Sequence, residues 1–320
     1  METNLLGNPN YRKRAKATRT RLFKQIWQQL EQASSPKGFR WLFKEQIHIE
    51  PGYRALLQAA GLDSVQGVFN STVDELVTTG GEFGGEDVSR IRIQDGSVQR
   101  TFYIKRYWNR ELRRMWKRAF RGSILGASIM KREFSKMKEL DALGIPTLKL
   151  VAWGDQRFCA GVINTFMITE ELPHATGVDS LATTWFTQTG DTQLIQWQNS
   201  LIAEAARHLR KMHQHGFEHH DLFFRNIMVS DKEPLVMYIF DCPRAFRWPT
   251  WLMKYRCVQD LATLDAAASA VFTPSQRMRF MHLYLDCKRL NTEQKSLVRK
   301  ILRKADPNRK RQRKRLERAC

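Results

Sequence analysis

The sequence predicts an α+β fold in two lobes, a small antiparallel sheet with one key helix followed by a mainly helical lobe. Three observations predict it. From Thr72 to Tyr107 short apolar or alternating runs are separated by a glycine-rich turn and by Asp95-Gly96, the pattern of paired strands. From Ser200 onward the apolar residues recur at helical spacing, as in Ser200 to His213 and Val258 to Ala267. The chain has 320 residues, 42% of them hydrophobic, which is enough for two cores with a short appendage at each end.

Residues 11 to 32 read as a basic amphipathic helix, with Leu22, Phe23, Ile26, Trp27 and Leu30 on one face. Such a helix either lies on an anionic bilayer or packs its stripe on the folded core. After a break at Ser34, Ser35, Pro36 and Gly38, a helix is expected from about Gly52 to Ala60, closed by Gly61. Strands follow at Val73 to Val77, Val88 to Ile93 and Thr101 to Tyr107. The turn between the first two holds Gly80, Gly81, Gly84 and Gly85, where the lack of a Cβ lets backbone amides approach phosphate oxygens. An ordinary hairpin is the other reading of that turn. Lys105 ends the third strand, where a buried lysine needs an anionic partner. A helix starting near Ser128 offers Glu133, on the face marked by Phe134, Met137 and Leu140, in preference to Glu139. Basic residues from Arg106 to Arg121 alternate with Tyr107, Trp108, Trp116 and Phe120, a mixture suited to an anionic partner.

A strand from Ala160 to Thr169 ends in Glu170-Glu171-Leu172-Pro173. Such a polar link is where backbone groups of Glu170 and Leu172 would meet an adenine ring. Thr273-Pro274-Ser275-Gln276 is a capping box, and Asn291 to Gln294 repeats the device for a last helix. Beyond Asp306-Pro307 the chain is nearly all cation and is expected to be mobile. The divisions are therefore 1–50 for a basic extension, 51–172 for the strand lobe, 173–305 for the helical lobe and 306–320 for a polybasic tail.

The formal net charge of +21 points to a polyanionic partner, either nucleic acid or the anionic face of a membrane. Five cysteines without a C-x-x-C pair indicate neither a disulfide framework nor a zinc site. No run approaches the ~18 apolar residues of a spanning helix, so any membrane contact is expected to be peripheral.

Chemistry concentrates between His213 and Asp241. His219-His220-Asp221 is followed five positions after Asp221 by Asn226, then by an apolar strand, Leu235 to Phe240, that delivers Asp241. The run H-x-D-x-x-x-x-N, strand, Asp is that of a protein-kinase-like catalytic loop. Asp221 would orient and deprotonate an incoming hydroxyl, with Asn226 and Asp241 holding Mg2+ on the phosphates of ATP. Asp260 is expected to brace the loop's backbone, not to act chemically. No A-P-E follows, and Asp260 comes only nineteen positions after Asp241, which leaves little chain for docking a peptide. A glycosidic or small hydroxyl is the favoured acceptor. A serine/threonine kinase, or a non-catalytic kinase-like protein binding nucleic acid, are the alternatives.

From about Gly52 to Ala305 the chain resembles the lipopolysaccharide core kinases of Gram-negative bacteria, the Kdo/heptose kinase family. The resemblance rests on Tyr103-Ile104-Lys105-Arg106-Tyr107, Arg132-Glu133-Phe134, Leu143-Gly144-Ile145-Pro146, Val151-Ala152-Trp153-Gly154 and Thr169 to Pro173. It continues in Gly216 to Leu222, Phe240-Asp241 with Arg244-Ala245, and Gln259 to Leu264. It implies phosphorylation by ATP of an inner-core sugar hydroxyl of the lipopolysaccharide glycolipid, at the cytoplasmic face of the inner membrane. By position it implies Asp221 as base, Asn226 and Asp241 as magnesium ligands, Lys105 as phosphate contact and Glu133 as its partner. Cys242-Pro243 stands where protein kinases have Phe-Gly, and His220 stands where the family commonly has arginine or glycine. The anionic membrane surface would be met by the N-terminal helix and the C-terminal tail, with nucleic acid the less favoured polyanion.

Overall fold

Alternating strands dominate the first half of the chain and long amphipathic helices the second, and the computed structural model divides accordingly into two compact units. It describes residues 43–79, 85–108, 126–158, 161–187, 192–230 and 234–319. The basic helix expected over 11–32, Gly80, Gly81, Gly84 and the basic-aromatic stretch 109–121 lie outside these residues. The first unit gathers the described residues among 1–99, 103–128 and 152–168; the second gathers those among 100–102, 129–151 and 169–320.

The first unit is built on an antiparallel sheet. Its strands are β1 (Phe43–Ile49), β2 (Glu75–Thr79), β3 (Glu86–Asp95), β4 (Val98–Trp108), β5 (Lys149–Phe158) and β6 (Gly161–Glu170), in the order β1-β5-β6-β4-β3-β2. β1 runs antiparallel to β5, with Ile49 opposite Ala152. Two short helices, α1 (Arg54–Ala59) and α2 (Val65–Asn70), lie between β1 and β2. The Ser64 hydroxyl caps α2 by accepting the Gly67 N–H at 3.0 Å. Arg106 then ties α2 to the sheet from a site only 4% exposed. Its guanidinium donates to the Val68 carbonyl at 2.9 Å, Ser89 Oγ at 3.1 Å and Ser71 Oγ at 2.7 Å. Such a buried cation is tolerated because its donors are satisfied, and Asp87 lies 3.6 Å away.

In the second unit α3 (Ile129–Ala142) buries Met130, Glu133, Phe134, Met137 and Leu140, the inward face expected from sequence. Gly144, at φ +63°, turns the chain after it, and the Ile145 N–H returns to the Leu140 carbonyl. Next come β7 (Ala175–Gly177), α4 (Val178–Thr187) and the 23-residue α5 (Thr192–Gln214). Four short strands frame the loops after α5: β8 (Phe217–Glu218), β9 (Ile227–Ser230), β10 (Met237–Ile239) and β11 (Phe246–Arg247). They form two ribbons, β10-β9-β7 and β11-β8. The unit closes with α6 (Thr250–Ala268), α7 (Pro274–Leu285) and α8 (Thr292–Ala319). The Thr273–Gln276 capping box is present in full, and Asn291 and Gln294 exchange the equivalent bonds at 2.8 and 2.9 Å.

At the polybasic end α8 continues through Pro307 to Ala319 as helical backbone. One anchor is described. Asp265 on α6 takes the Arg277 guanidinium at 2.8 and 3.0 Å and the Arg309 guanidinium at 2.7 Å. The shared carboxylate fixes α8 beyond the proline, whose missing N–H costs one hydrogen bond but does not end the helix.

Candidate active site

The loop that carries the candidate chemistry starts at the end of α5. Gly216, at φ +76°, turns the chain, and a Cβ there would run into the Trp248 carbonyl oxygen, so only glycine fits. β8 then pairs with β11, Glu218 opposite Phe246 and Phe217 opposite Arg247.

Asp260, fully buried on α6, holds the residues that follow. Its Oδ2 accepts the His219 N–H and its Oδ1 the His220 N–H, each at 2.7 Å. His213 Nε2 is 3.2 Å from the same Oδ2, and its Nδ1 is 2.8 Å from the Tyr284 hydroxyl. Burial alone would raise the Asp260 pKa, but the hydrogen bond and charge of His213 and the contacts of His219 hold it below the ordinary value. The expected brace is therefore present, in the interior of α6 and not at its start.

His219 is fully buried and donates from Nε2 to the Phe240 carbonyl at 3.0 Å, which ties the loop to the end of β10. Burial lowers its pKa, so the ring is neutral. His220 takes φ +74°, uncommon for a residue with a side chain. Its Nε2 accepts from Arg244 at 2.7 Å, and its Nδ1 lies 3.8 Å from Glu218 Oε1. Arg244 also donates to Asp221 Oδ1 at 3.2 Å. Sequence reasoning left the role of His220 open; it props the arginine that touches Asp221.

Asn226 is 2% exposed at the end of a 3-10 turn, Phe224–Asn226. Its Nδ2 donates to the Asp221 carbonyl at 2.8 Å, and its own carbonyl accepts the Phe240 N–H at 3.1 Å. Asp221, Asn226 and the residue before Asp241 are thus joined by direct bonds. Asp241 itself sits at φ +57°, a strained position for a non-glycine residue next to a loop of polar groups. Cys242 is buried behind it. Burial first, then the carboxylates of Glu133 and Asp241, push its thiol pKa well up. Both carboxylates therefore lie near one buried sulfur in this unit.

Glu133 is 2% exposed, whereas Glu139 is half-buried and paired with Lys136 at 2.7 Å, as the helical face predicts. Lys105 belongs to the first unit, where its described ion pair is with Glu86 at 3.6 Å. Gly85 is buried there, its carbonyl accepting the Trp108 N–H at 2.6 Å, and a Cβ would strike the Trp108 carbonyl. The Glu170 side chain is held by Arg100 at 2.8 Å and Lys149 at 2.6 Å. Next to it the Glu171 N–H donates to the Thr101 carbonyl at 2.9 Å, and Leu172 is half-buried. Among the described residues no group of three or more His, Cys, Asp or Glu is placed to hold a metal ion by itself.

An antiparallel sheet unit, a helical unit and a braced His-x-Asp-x4-Asn loop leading to a strand and a second Asp define a protein-kinase-like fold. The chain belongs to the lipopolysaccharide kinase (Kdo/WaaP) family, whose profile matches residues 74–284. It is 22% identical over 218 residues to the lipopolysaccharide core heptose(I) kinase WaaP of Escherichia coli, covering 66% of this chain and 80% of that one. To the protein of the same description from Pseudomonas aeruginosa it is 23% identical over 167 residues, covering 50% of this chain and 60% of that relative. A solved structure of WaaP in complex with acyl carrier protein superposes with a TM-score of 0.57 at 20% identity, over 82% of this chain and 99% of that one. That likeness establishes the fold.

Proposed function

We propose that this protein is a phosphotransferase that moves the terminal phosphoryl group of ATP to a hydroxyl of an inner-core sugar of lipopolysaccharide, heptose or Kdo. Family membership supports the substrate class. The observation that carries the chemistry is the loop in which Asp260 fixes the backbone before Asp221 while Asn226 bonds the Asp221 carbonyl.

In the proposed reaction the acceptor oxygen bonds to the γ-phosphorus as the bond to the β,γ-bridging oxygen breaks, and ADP leaves. The acceptor proton passes to the Asp221 carboxylate. Oδ1 of that group is turned toward Arg244 at 3.2 Å, which leaves Oδ2 for the proton. Asn226 and Asp241 fit a magnesium ion, because the Asn226 amide nitrogen is engaged by Asp221 and its oxygen remains, and two hard oxygen donors suit an ion that otherwise keeps waters and phosphates. When bound, the ion offsets negative charge on the phosphates. For the nucleotide the proposed contacts are Lys105 and the turn with Gly80, Gly81, Gly84 and Gly85, with Glu133 in the same set. The link Glu170 to Leu172 is proposed for adenine.

A position on the anionic inner face of the cytoplasmic membrane is part of the same proposal, supported by the net charge of +21. No helix among the described residues is long and apolar enough to cross a membrane.

The test is transfer of labelled phosphate from ATP, with magnesium, to deacylated lipopolysaccharide core oligosaccharide, run beside a peptide library. Labelled oligosaccharide supports the proposal. Label on peptides alone would replace it with a protein kinase.

A further inference from the structure

Four side chains run in series from the buried Glu218 to the carboxylate of Asp221. Glu218 is 1% exposed, and its Oε2 accepts the Trp248 indole N–H at 2.6 Å and the Arg256 guanidinium at 2.9 Å. Its Oε1 has no hydrogen-bond donor among the described residues and faces His220 Nδ1 at 3.8 Å. A buried carboxylate oxygen in that state draws the imidazole proton to Nδ1. His220 Nε2 is then the acceptor that the 2.7 Å contact with Arg244 Nη2 requires, because a guanidinium only donates. Arg244 Nη1 in turn reaches Asp221 Oδ1 at 3.2 Å.

The series is also held at its base. His220 sits at φ +74°, and Asp260 accepts its backbone N–H at 2.7 Å. The Arg244 side chain is nevertheless 63% exposed. Described side chains engage Nη1 and Nη2 once each, which leaves the other N–H groups of the fork unclaimed. A side chain fixed by its neighbours and left with open donors is arranged to meet a ligand.

An arginine that only held Asp221 would work against it. A guanidinium beside a carboxylate favours the ionised form, which makes Asp221 a poorer acceptor for a hydroxyl proton. That effect is offset when the same charge stabilises the transition state. Phosphoryl transfer supplies the partner, because negative charge spreads over the three outer oxygens of the group in flight. The acceptor oxygen lies about 3 Å from Asp221 in a productive pose, and the phosphorus about 3 to 3.5 Å beyond it. Arg244, 3.2 Å from the other oxygen of that carboxylate, stands within a side-chain rotation of the outer oxygens. The surroundings also call for a cation. Burial dominates at the His219 ring, but the charges of Asp260, Asp241 and Asp221 are felt there too, so carboxylates gather around this loop.

We propose that Arg244 is a further catalytic residue, donating its open N–H groups to the outer oxygens of the phosphoryl group during transfer. His220 and Glu218 are positioning residues that hold it there. Arg244 neither takes nor gives a proton. The bond from acceptor oxygen to phosphorus forms, the bond to the bridging oxygen breaks, and the proton still passes to Asp221. This inference rests on the phosphotransferase proposal and adds a residue to its chemistry.

The test uses full-length wild type, Arg244→Ala, Arg244→Lys and His220→Asn, with ATP, magnesium and deacylated core oligosaccharide. Asparagine tolerates positive φ but is too short to reach Arg244. Arg244 is exposed, so its replacement should leave the melting temperature unchanged. Arg244→Ala should lower kcat by at least about 100-fold, with both KM values nearly unchanged. Lysine at this position should recover only part of the loss, because it carries the charge without the fork. His220→Asn should lose less than Arg244→Ala and add nothing to it in the double variant, and additive losses would overturn the positioning role. An unchanged kcat for Arg244→Ala overturns the proposal. So does a loss confined to the oligosaccharide KM, which would make Arg244 a contact for the acceptor alone. If the wild type transfers no phosphate, the phosphotransferase reading has failed separately. Calorimetry with ADP, magnesium and aluminium fluoride, a mimic of the phosphoryl group in flight, then decides for Arg244. Fluoride that tightens ADP binding by the wild type but not by Arg244→Ala supports the contact, and equal behaviour of the two proteins overturns it.

Discussion

Asp260 Oδ1 accepts the backbone N–H of His220 at 2.7 Å across 40 residues of sequence, and the residue so held, immediately before Asp221, sits at φ +74°. Oδ2 takes the neighbouring His219 N–H, so one carboxylate sets two consecutive peptide units. Asp260→Ala leaves two buried donors without an acceptor and should lower folding stability by about 3–5 kcal/mol, measured by urea denaturation. Asp260→Asn keeps one acceptor oxygen and should cost less. The Asp260 pKa is depressed in the fold, so its contribution is complete above the unfolded value of about 4 and is lost as pH falls through the folded one.

His208 sets a second pH dependence. Burial lowers its pKa to about 4, helped by Arg207 and Lys211 and opposed by Glu204. Arg207 lies 2.6 Å from Nε2, which then accepts as the neutral ring. The unfolded chain binds this proton near pH 6.5 and the native chain only near 4, so stability is full above about 6.5 and falls as pH drops between those values. His208→Leu should reduce that slope by about 1 kcal/mol per pH unit, read from denaturation midpoints at pH 4.5, 5.5 and 7.

Asp221→Asn should reduce kcat by about 100- to 10,000-fold with little change in the ATP KM. The described contact of its carboxylate is with the largely exposed Arg244, so stability should move by less than about 1 kcal/mol. Intact turnover in a folded variant would remove Asp221 from the reaction.

Asn226→Ala and Asp241→Asn each remove an oxygen donor proposed for magnesium. At saturating ATP the magnesium concentration for half-maximal rate should rise about tenfold, on the order of one lost ligand. Unchanged magnesium dependence in both variants would disconnect these residues from the ion.

Much of what lay close together in sequence was legible. The loop from His219 to Asn226, the strand before Asp241, the inward face of α3 and both capping boxes follow from spacing alone, and Asp260 could be named as a brace because a buried carboxylate needs donors nearby. What depends on distant partners was not. β1 pairs with β5 across more than 100 residues. Arg106 was read as one cation among many, because its acceptors at Val68, Ser71 and Ser89 come from a separate helix and strand. The tie that holds Arg309 was not legible because its partner, Asp265, lies 44 residues away.

Replacing Lys310, Arg311, Arg313, Lys314, Arg315 and Arg318 by glutamine tests membrane attachment while keeping the Arg309–Asp265 anchor. At about 1 kcal/mol per cation, sedimentation with anionic vesicles should weaken strongly and become less sensitive to salt. Equal partitioning of the two proteins would assign these charges to another task.

The central claim is tested most directly by mass spectrometry of lipopolysaccharide core from cells expressing the intact protein, no protein, or Asp221→Asn. The account predicts a core species heavier by one phosphate with the intact protein only. The same phosphorylated species in all three samples would contradict it.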